Sequence, residues 1–354
     1  MRIRRRLPIL FGVLIVAIAL ALVVFMRKHA PPEPARLLPS GDAFIYANLQ
    51  WARRVGFLNQ LPPVSHDPEY EKFIQETGFQ FETDLEQAAF AVHYPPKPVT
   101  GTTGNPSEPR FSEVFVARFH GDRVAAYLKK ISRSVENYNS IDIFNIPLEG
   151  RILRVAILGV DTVAASNHDD SQVIRGIIDR SRKLASPFGG PSFLRQYYKY
   201  VPIASLAWAI ARTSPSYSAD STELNMWSMI LPPSAVVVAS ARPIRALHIR
   251  VEAFTGSDDE ARQATEKLGA FLNIFHSAEL ASSPQGTDGD VKAFFDSLKV
   301  EQEGQRAVLV ATASADFLHK LVTAPPAELE PASPAQTPPV TQSPLVPKPK
   351  ARHK

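Results

Sequence analysis

The side chains best suited to chemistry lie in one run, Asn167, His168, Asp169 and Asp170, where a strand-like segment gives way to a helical one. An imidazole beside two carboxylates is a donor set for a divalent cation. The same residue types have a plainer use. Asn and Asp are preferred at helix starts, because their side-chain oxygens accept backbone N–H groups that the first turn leaves unpaired. Val173, Ile174, Ile177 and Ile178 follow with the spacing of one apolar helix face. The run is therefore read as a helix start, and no catalytic, cofactor-binding or metal-ligating residue is assigned.

Other candidates resolve the same way. Arg195, Tyr197, Tyr198, Lys199 and Tyr200 interleave cations with aromatics, the make-up of a surface on which sugars or bases stack. Phe193 with Tyr197 and Leu194 with Tyr198 are also i,i+4 pairs, which a core-facing helix needs, so a structural role is expected. Asp288-Gly289-Asp290 is too short for a calcium loop, lacks the distal Glu, and reads as a turn. Arg180, Arg182 and Lys183 close a helical stretch, where cations favour the helix dipole. No GxSxG, P-loop, GxGxxG, HExxH or Ser-x-x-Lys pattern occurs. The absence of cysteine excludes thiolate metal sites, Cys nucleophiles and disulfides.

The net charge of +4 suggests a nucleic-acid partner until the charges are located. Residues 1–28 hold six Lys/Arg and no acid, and residues 328–354 hold four Lys/Arg against Glu328 and Glu330. The middle of the chain keeps 29 basic and 33 acidic groups, which disfavours nucleic acid as a partner. Between Leu7 and Met26 every residue is apolar, and twenty residues at about 1.5 Å each span about 30 Å of hydrocarbon. Arg2, Arg4, Arg5 and Arg6 precede this run and only Arg27 and Lys28 follow closely, so the N-terminus is expected in the cytoplasm and the rest outside. A cleaved signal peptide with Ala19-Leu20-Ala21 is the rival, but Leu22 to Met26 stay apolar where a cleavage region turns polar. With no Cys after the run, a lipidated N-terminus is excluded.

Proline marks the boundaries. Pro31, Pro32 and Pro34 indicate a stiff linker over residues 29–40, and Pro95, Pro96, Pro98, Pro106 and Pro109 a loop between strands. Nine prolines from Pro325 to Pro349 indicate a disordered tail over residues 326–354. The tail ends in Lys348, Lys350, Arg352, His353 and Lys354, charges that suit an anionic polymer or simple solubility.

An internal repeat sets the expected fold. FSEVFVARF leads through Gly121 to a helix from Asp122 with Val124, Leu128, Ile131 and Val135 on one face. ALHIRVEAF leads through Gly256 to a capping box, Ser257 with Glu260, then Ala264, Leu268, Phe271 and Phe275. Val116, Phe119, Gly121 and Asp122 match Val251, Phe254, Gly256 and Ser257 at one offset of 135. Leu38-Pro39 before FIYAN likewise pairs with Leu231-Pro232 before VVVAS, and Glu149-Gly150 with Glu303-Gly304. Helical stretches are expected near 49–77, 171–184 and 314–323, and a further strand over Thr162 to Ser166. In SLAWAIA, Leu206, Trp208 and Ile210 share one strand face as core between the units. The links are too short for parallel crossovers. The expectation is α+β: a transmembrane helix, then two tandem antiparallel-sheet modules at 41–190 and 191–325 with helices on one face.

The order of apolar anchor, Pro-rich stand-off, Leu38-Pro39 before FIYANL and later strand-hairpin segments resembles a loose group of uncharacterised bacterial membrane-anchored envelope proteins. The resemblance covers most of residues 1–325 and implies a localisation in the bacterial inner membrane with the main domain periplasmic or extracellular. It transfers no activity and no residue role. The functional expectation is a non-enzymatic binding or scaffolding module held to the bilayer by residues 7–26, with an envelope protein or anionic polymer as partner. The alternative is a periplasmic hydrolase or metal-dependent enzyme centred near His168.

Overall fold

The computed structural model describes residues 30–54, 56, 66–94, 108–148, 150–182, 189–213, 229–282 and 289–323. The apolar run 7–26, most of the Pro-rich loop at 95–109, Glu149, Lys183, Asp288 and the tail 326–354 lie outside the described residues. Among the described residues, no helix is long and apolar enough to cross a membrane.

The first half runs from α1 (Glu33–Leu37) to β1 (Ala43–Asn48), α2 (Leu49–Arg54), α3 (Pro68–Thr77), α4 (Phe81–Asp84), β2 (Leu85–His93) and β3 (Arg110–Ala117). It continues through α5 (Gly121–Ile131), β4 (Ser134–Tyr138), β5 (Ile141–Leu148), β6 (Arg151–Ile157), β7 (Thr162–Ser166) and α6 (Gln172–Arg182). The second half comprises α7 (Ser192–Tyr198), β8 (Ala207–Arg212), β9 (Val236–Pro243), β10 (Leu247–Phe254), α8 (Asp258–Ser282) and α9 (Gly289–Ser297). It closes with β11 (Lys299–Glu303), β12 (Arg306–Ala313) and α10 (Ala315–Thr323).

All these strands join one antiparallel sheet in the order β11-β12-β10-β9-β8-β1-β2-β3-β7-β6-β5-β4. The seam is the β1·β8 pair, where Phe44 faces Ile210 and Tyr46 faces Trp208. Outward from it the connectivity repeats: β1, β2, β3 and β7 on one side answer β8, β9, β10 and β12 on the other. Gly256 stands between β10 and α8, whereas Gly121 is itself the first residue of α5, so the constant offset holds for the order of the elements but not for the exact place of the two glycines. The pairing of FIYAN with VVVAS does not hold, because β1 corresponds by position to β8 and β9 corresponds to β2. Nor does the hairpin at Gly150 answer the one at Gly304. By position β6·β7 matches β11·β12, and β4·β5 is extra.

Helices cover both faces, not one. On one face Ala35 and Leu37 of α1, Ile174, Ile177 and Ile178 of α6, and Phe193 and Leu194 of α7 pack on Phe44, Ala91, Val114, Ile143, Ala164, Ile210 and Val238. On the other, Val124 and Leu128 of α5 pack on Phe144, Val155 and Ala165. There too Phe73 and Phe79 meet Ala88 and Ala117, and Ala264, Leu268 and Phe271 of α8 meet Ala235, Ala253 and Ala307. The cause is visible in β2, where Ala88, Ala89, Ala91 and Val92 are all buried. A strand apolar on consecutive positions must be covered twice, and alanine lets helices approach closely. Each isoleucine that α6 buries stabilises by about 1.5–3 kcal/mol, and Ile177→Ala would cost about 2–5 kcal/mol.

The proposed linker at 29–40 is largely part of the fold. Pro34 lies in the first turn of α1, where its missing N–H costs nothing, and Ala35, Leu37 and Leu38 are buried. The helix at 122 also ends earlier than its periodicity suggested. Ser132 turns extended and the Arg133 N–H donates to Asn145 O, so Val135 lies on β4 and is 41% exposed.

Candidate ligand-binding site

Asn167, His168, Asp169 and Asp170 link β7 to α6, and their roles divide. Asp170 caps the helix, its Oδ1 accepting from Gln172 N–H at 2.8 Å. Asp169 instead accepts from Arg110 at 2.9 and 3.1 Å, and Asn167 Oδ1 accepts from Phe111 N–H at 2.6 Å. His168 is half-buried and not alone, since its ring meets His93 edge-on at 5.1 Å. His93 Nε2 lies 3.1 Å from Ser112 Oγ, which is 3.0 Å from Ser166 Oγ. Burial and then the neighbouring His168 hold the His93 pKa below its ordinary value, against an opposing pull from Asp42. Ser112 is fully buried and Ser166 nearly so. Among the described residues, no group of three or more His, Cys, Asp or Glu could hold a metal ion. The cluster ties β2, β3 and β7 together at one end of the sheet.

Arg180 and Arg182 are structural, and the part of the expected turn at 288–290 that the structure describes begins a helix instead. Arg180 donates from Nε to Leu37 O at 2.7 Å, fastening α6 to α1, and burial lowers its pKa. Arg182 donates to Asn139 O at 2.8 Å. Gly289 and Asp290 open α9, where Asp290 pairs with Lys320 at 2.5 Å. The Ser257–Glu260 capping box is present, with Glu260 N–H donating to Ser257 Oγ at 3.2 Å and Gly256 N–H to Glu260 Oε2 at 2.8 Å.

The aromatic run divides between core and surface. Phe193 and Tyr197 meet at 5.3 Å, and Tyr197 and Tyr200 pack on Phe254. Tyr198 turns to the seam instead, its ring edge-on to Trp208 at 5.3 Å. There Tyr46, Trp51, Tyr198 and Trp208 line a cavity of about 510 Å³, with Asn48 and Ser205, and with Pro31, Pro32, Glu33 and Arg36 beside α1. Tyr46 and Trp208 stack at 5.5 Å and 20°. The Tyr46 hydroxyl donates to Gln87 Oε1 at 2.9 Å, and burial, aided by Tyr198, raises its pKa above the ordinary range. Burial alone pushes Tyr198 up to about 12, so both phenols are neutral donors at physiological pH. The Trp208 Nε1–H is buried and has no hydrogen-bond partner.

A second cleft of about 680 Å³ lies over β4, β5 and β6, lined by Arg133, Arg151 and Arg154 with Glu136, Asn145 and Ser171. Its cations are mostly engaged: Arg154 donates to His168 O at 2.7 Å and Arg151 pairs with Glu108. The seam cavity is the better candidate, because four aromatic side chains converge on it where the two halves of the sheet join. Sequence reasoning placed Trp208 in the core and singled out Tyr198, but missed their convergence with Tyr46 and Trp51. The register of FIYAN against SLAWAIA is the signal that brings these residues together.

No family model matches the chain, and no curated protein matches it. Among solved structures, crystal form III of TP0453 is similar over 82% of this chain and 98% of that one, at 11% identity and a TM-score of 0.45. Crystal form I of TP0453 covers 83% and 97%, at 10% identity and a TM-score of 0.43. These values assign neither fold nor function. What the geometry describes is a mixed α+β chain with a large antiparallel sheet and an aromatic cavity at its centre.

Proposed function

We propose that the chain is a single-pass, membrane-anchored extracytoplasmic protein of the bacterial inner membrane whose domain binds a component of the cell envelope. Two tandem sheet modules at 41–190 and 191–325, fused edge to edge through β1 and β8, form the binding domain. Residues 7–26 are the anchor, and the tail 326–354 is a basic tether. The observation that carries the reading is the seam cavity: one wall is made by residues 30–36, immediately after the apolar run, so that the site stands close to the membrane.

The absence of cysteine makes the test clean. Val160, 89% exposed in the β6·β7 turn, is replaced in Val160→Cys and cells are treated with a membrane-impermeant maleimide. Labelling of intact spheroplasts supports the reading, and labelling only after lysis contradicts it. A second reading, a hydrolase or metal-dependent enzyme centred near His168, is favoured by the contact of His168 with His93. Stoichiometric divalent metal that disappears in His168→Ala would establish it.

A further inference from the structure

We infer that the end of the sheet where β8 begins and β9 finishes is a membrane-docking surface: Ile203 and Ile244 enter the interfacial layer of an anionic phospholipid bilayer, and Lys199, Arg242 and Arg245 meet its headgroups.

The first observation is where the chain leaves the domain. Ala30, Pro31 and Pro32 lie beside Asn48 at the end of β1 and beside Ala204 and Ser205 just before β8. Only residues 27–29 separate Ala30 from the apolar run that ends at Met26. At a reach of at most about 3.8 Å per residue, Ala30 stands within about 15 Å of the end of the anchor. The surface adjoining Ala30 is therefore held at the headgroups, where the tether supplies a high effective concentration and even a weak contact forms.

The second is what that surface exposes. β8 and β9 are antiparallel, with Ala207 opposite Ala241, so the turn before β8 and the hairpin after β9 project from the same end. In the turn, Ser205 N–H donates to Pro202 O at 3.2 Å, and Ile203 is 54% exposed. Ala204, also exposed, has a φ of 64°, a conformation that such a turn ordinarily gives to Gly or Asn. In the hairpin, Ile244 is 62% exposed. Apolar side chains at two neighbouring tips suit an acyl boundary better than water.

The third is charge. Lys199, Arg242 and Arg245 flank the two tips, and among the described residues none of them is in an ion pair. Against them stands the exposed Glu33 beside Ala30. The excess of positive charge attracts anionic lipid. The β6·β7 turn, which carries Val160, leaves the sheet at this end too, but β7 is four strands from β8. A twist of about 20–25° per strand turns it away from these tips, so Val160 stays open to solvent.

This proposal rests on the reading of residues 7–26 as an anchor and names the surface that faces the bilayer. The full chain, which has no cysteine, is made as Ile244→Cys and, for comparison, as Gln305→Cys. Gln305 is exposed in the β11·β12 turn at the opposite end of the sheet, where Phe254 pairs with both Val236 and Arg306. Each is labelled with a nitrobenzoxadiazole maleimide and reconstituted into vesicles of equimolar phosphatidylcholine and phosphatidylglycerol, with and without doxyl-labelled phospholipid. The doxyl lipid should quench Ile244→Cys at least about twofold and leave Gln305→Cys unquenched, because only the first reaches the acyl boundary. Each basic residue strengthens contact with an anionic surface about fivefold. Quenching should therefore largely vanish in phosphatidylcholine alone and in the double variant Arg242→Gln, Arg245→Gln, and should fall with added salt. The lipid comparison uses the unaltered arginines and decides the matter where the double variant lowers the melting point. Quenching at Ile244→Cys no greater than at Gln305→Cys, or undiminished without phosphatidylglycerol, would overturn the proposal. So would a blue shift at Ile244→Cys without quenching, which would assign the patch to a second copy of the chain. If the chain stays with the vesicles through an alkaline carbonate wash but Ile244→Cys is not quenched, only the docking surface falls. If the chain washes off, the anchored reading beneath it falls as well.

Discussion

Tyr46 and Trp208 face each other across the one strand pair that joins the halves of the sheet, their rings stacked with centroids 5.5 Å apart. The stack makes the seam a packed aromatic core, and the same two residues line the cavity. Trp208→Phe retains a ring against Tyr46 and deletes the unpaired indole N–H, whose burial costs about 1–3 kcal/mol. Thermal melts should place Trp208→Phe within a few degrees of the parent, whereas Trp208→Ala should lose about 3–5 kcal/mol.

Glu113 stands on β3 between Phe90 of β2 and Ala165 of β7, and burial raises its pKa. A carboxyl whose folded pKa is raised holds its proton more tightly in the native state, so it opposes folding increasingly as pH rises from the unfolded pKa through the folded one. Glu113→Gln should therefore raise the melting temperature near neutral pH and leave it little changed at acid pH. Equal effects at both would remove burial of the charge as the cause.

His93 works in the opposite direction. Its folded pKa is depressed, chiefly by burial and then by His168, so its contribution to stability is present above the unfolded value of about 6.5 and is lost as pH falls below it. Urea melts across this window should show a shallower acid-side decline for His93→Gln than for the parent. An unchanged slope would exclude His93 as its source.

The two aspartates before α6 should separate in a stability assay. Asp170→Ala removes the cap on Gln172 N–H and should cost about 1 kcal/mol. Asp169, 75% exposed at its side chain, pairs with Arg110 at the surface, and Asp169→Ala should cost at most a few tenths of a kcal/mol. The reverse order in chemical denaturation would contradict the assignment of roles.

Features that depend on neighbouring residues were legible in the sequence. Ser257 with Glu260 announces the start of α8, Ile174, Ile177 and Ile178 announce the buried face of α6, and Trp208 with Ile210 announces the buried face of β8. Features that depend on distant pairing were not. That β1 answers β8 follows from hydrogen bonding between residues more than 150 positions apart, which the local likeness of FIYAN to VVVAS conceals. Coverage of both sheet faces was hidden by the alanines of β2, which periodicity treats as neutral fillers although Ala89 and Ala91 are wholly buried. The cavity combines residues from α1, β1, α2, α7 and β8, and no local spacing records that convergence. The ring of His93 against His168 is of the same kind, two side chains 75 positions apart meeting because β2, β3 and β7 are neighbours.

The measurement that bears most directly on the account is alkaline carbonate extraction of membranes carrying the full chain, with the N-terminus of the recovered protein sequenced. The twenty apolar residues from Leu7 to Met26 should hold the protein in the pellet with its N-terminal segment intact. A soluble product beginning at Leu22 would contradict an anchored protein and establish cleavage after Ala19-Leu20-Ala21.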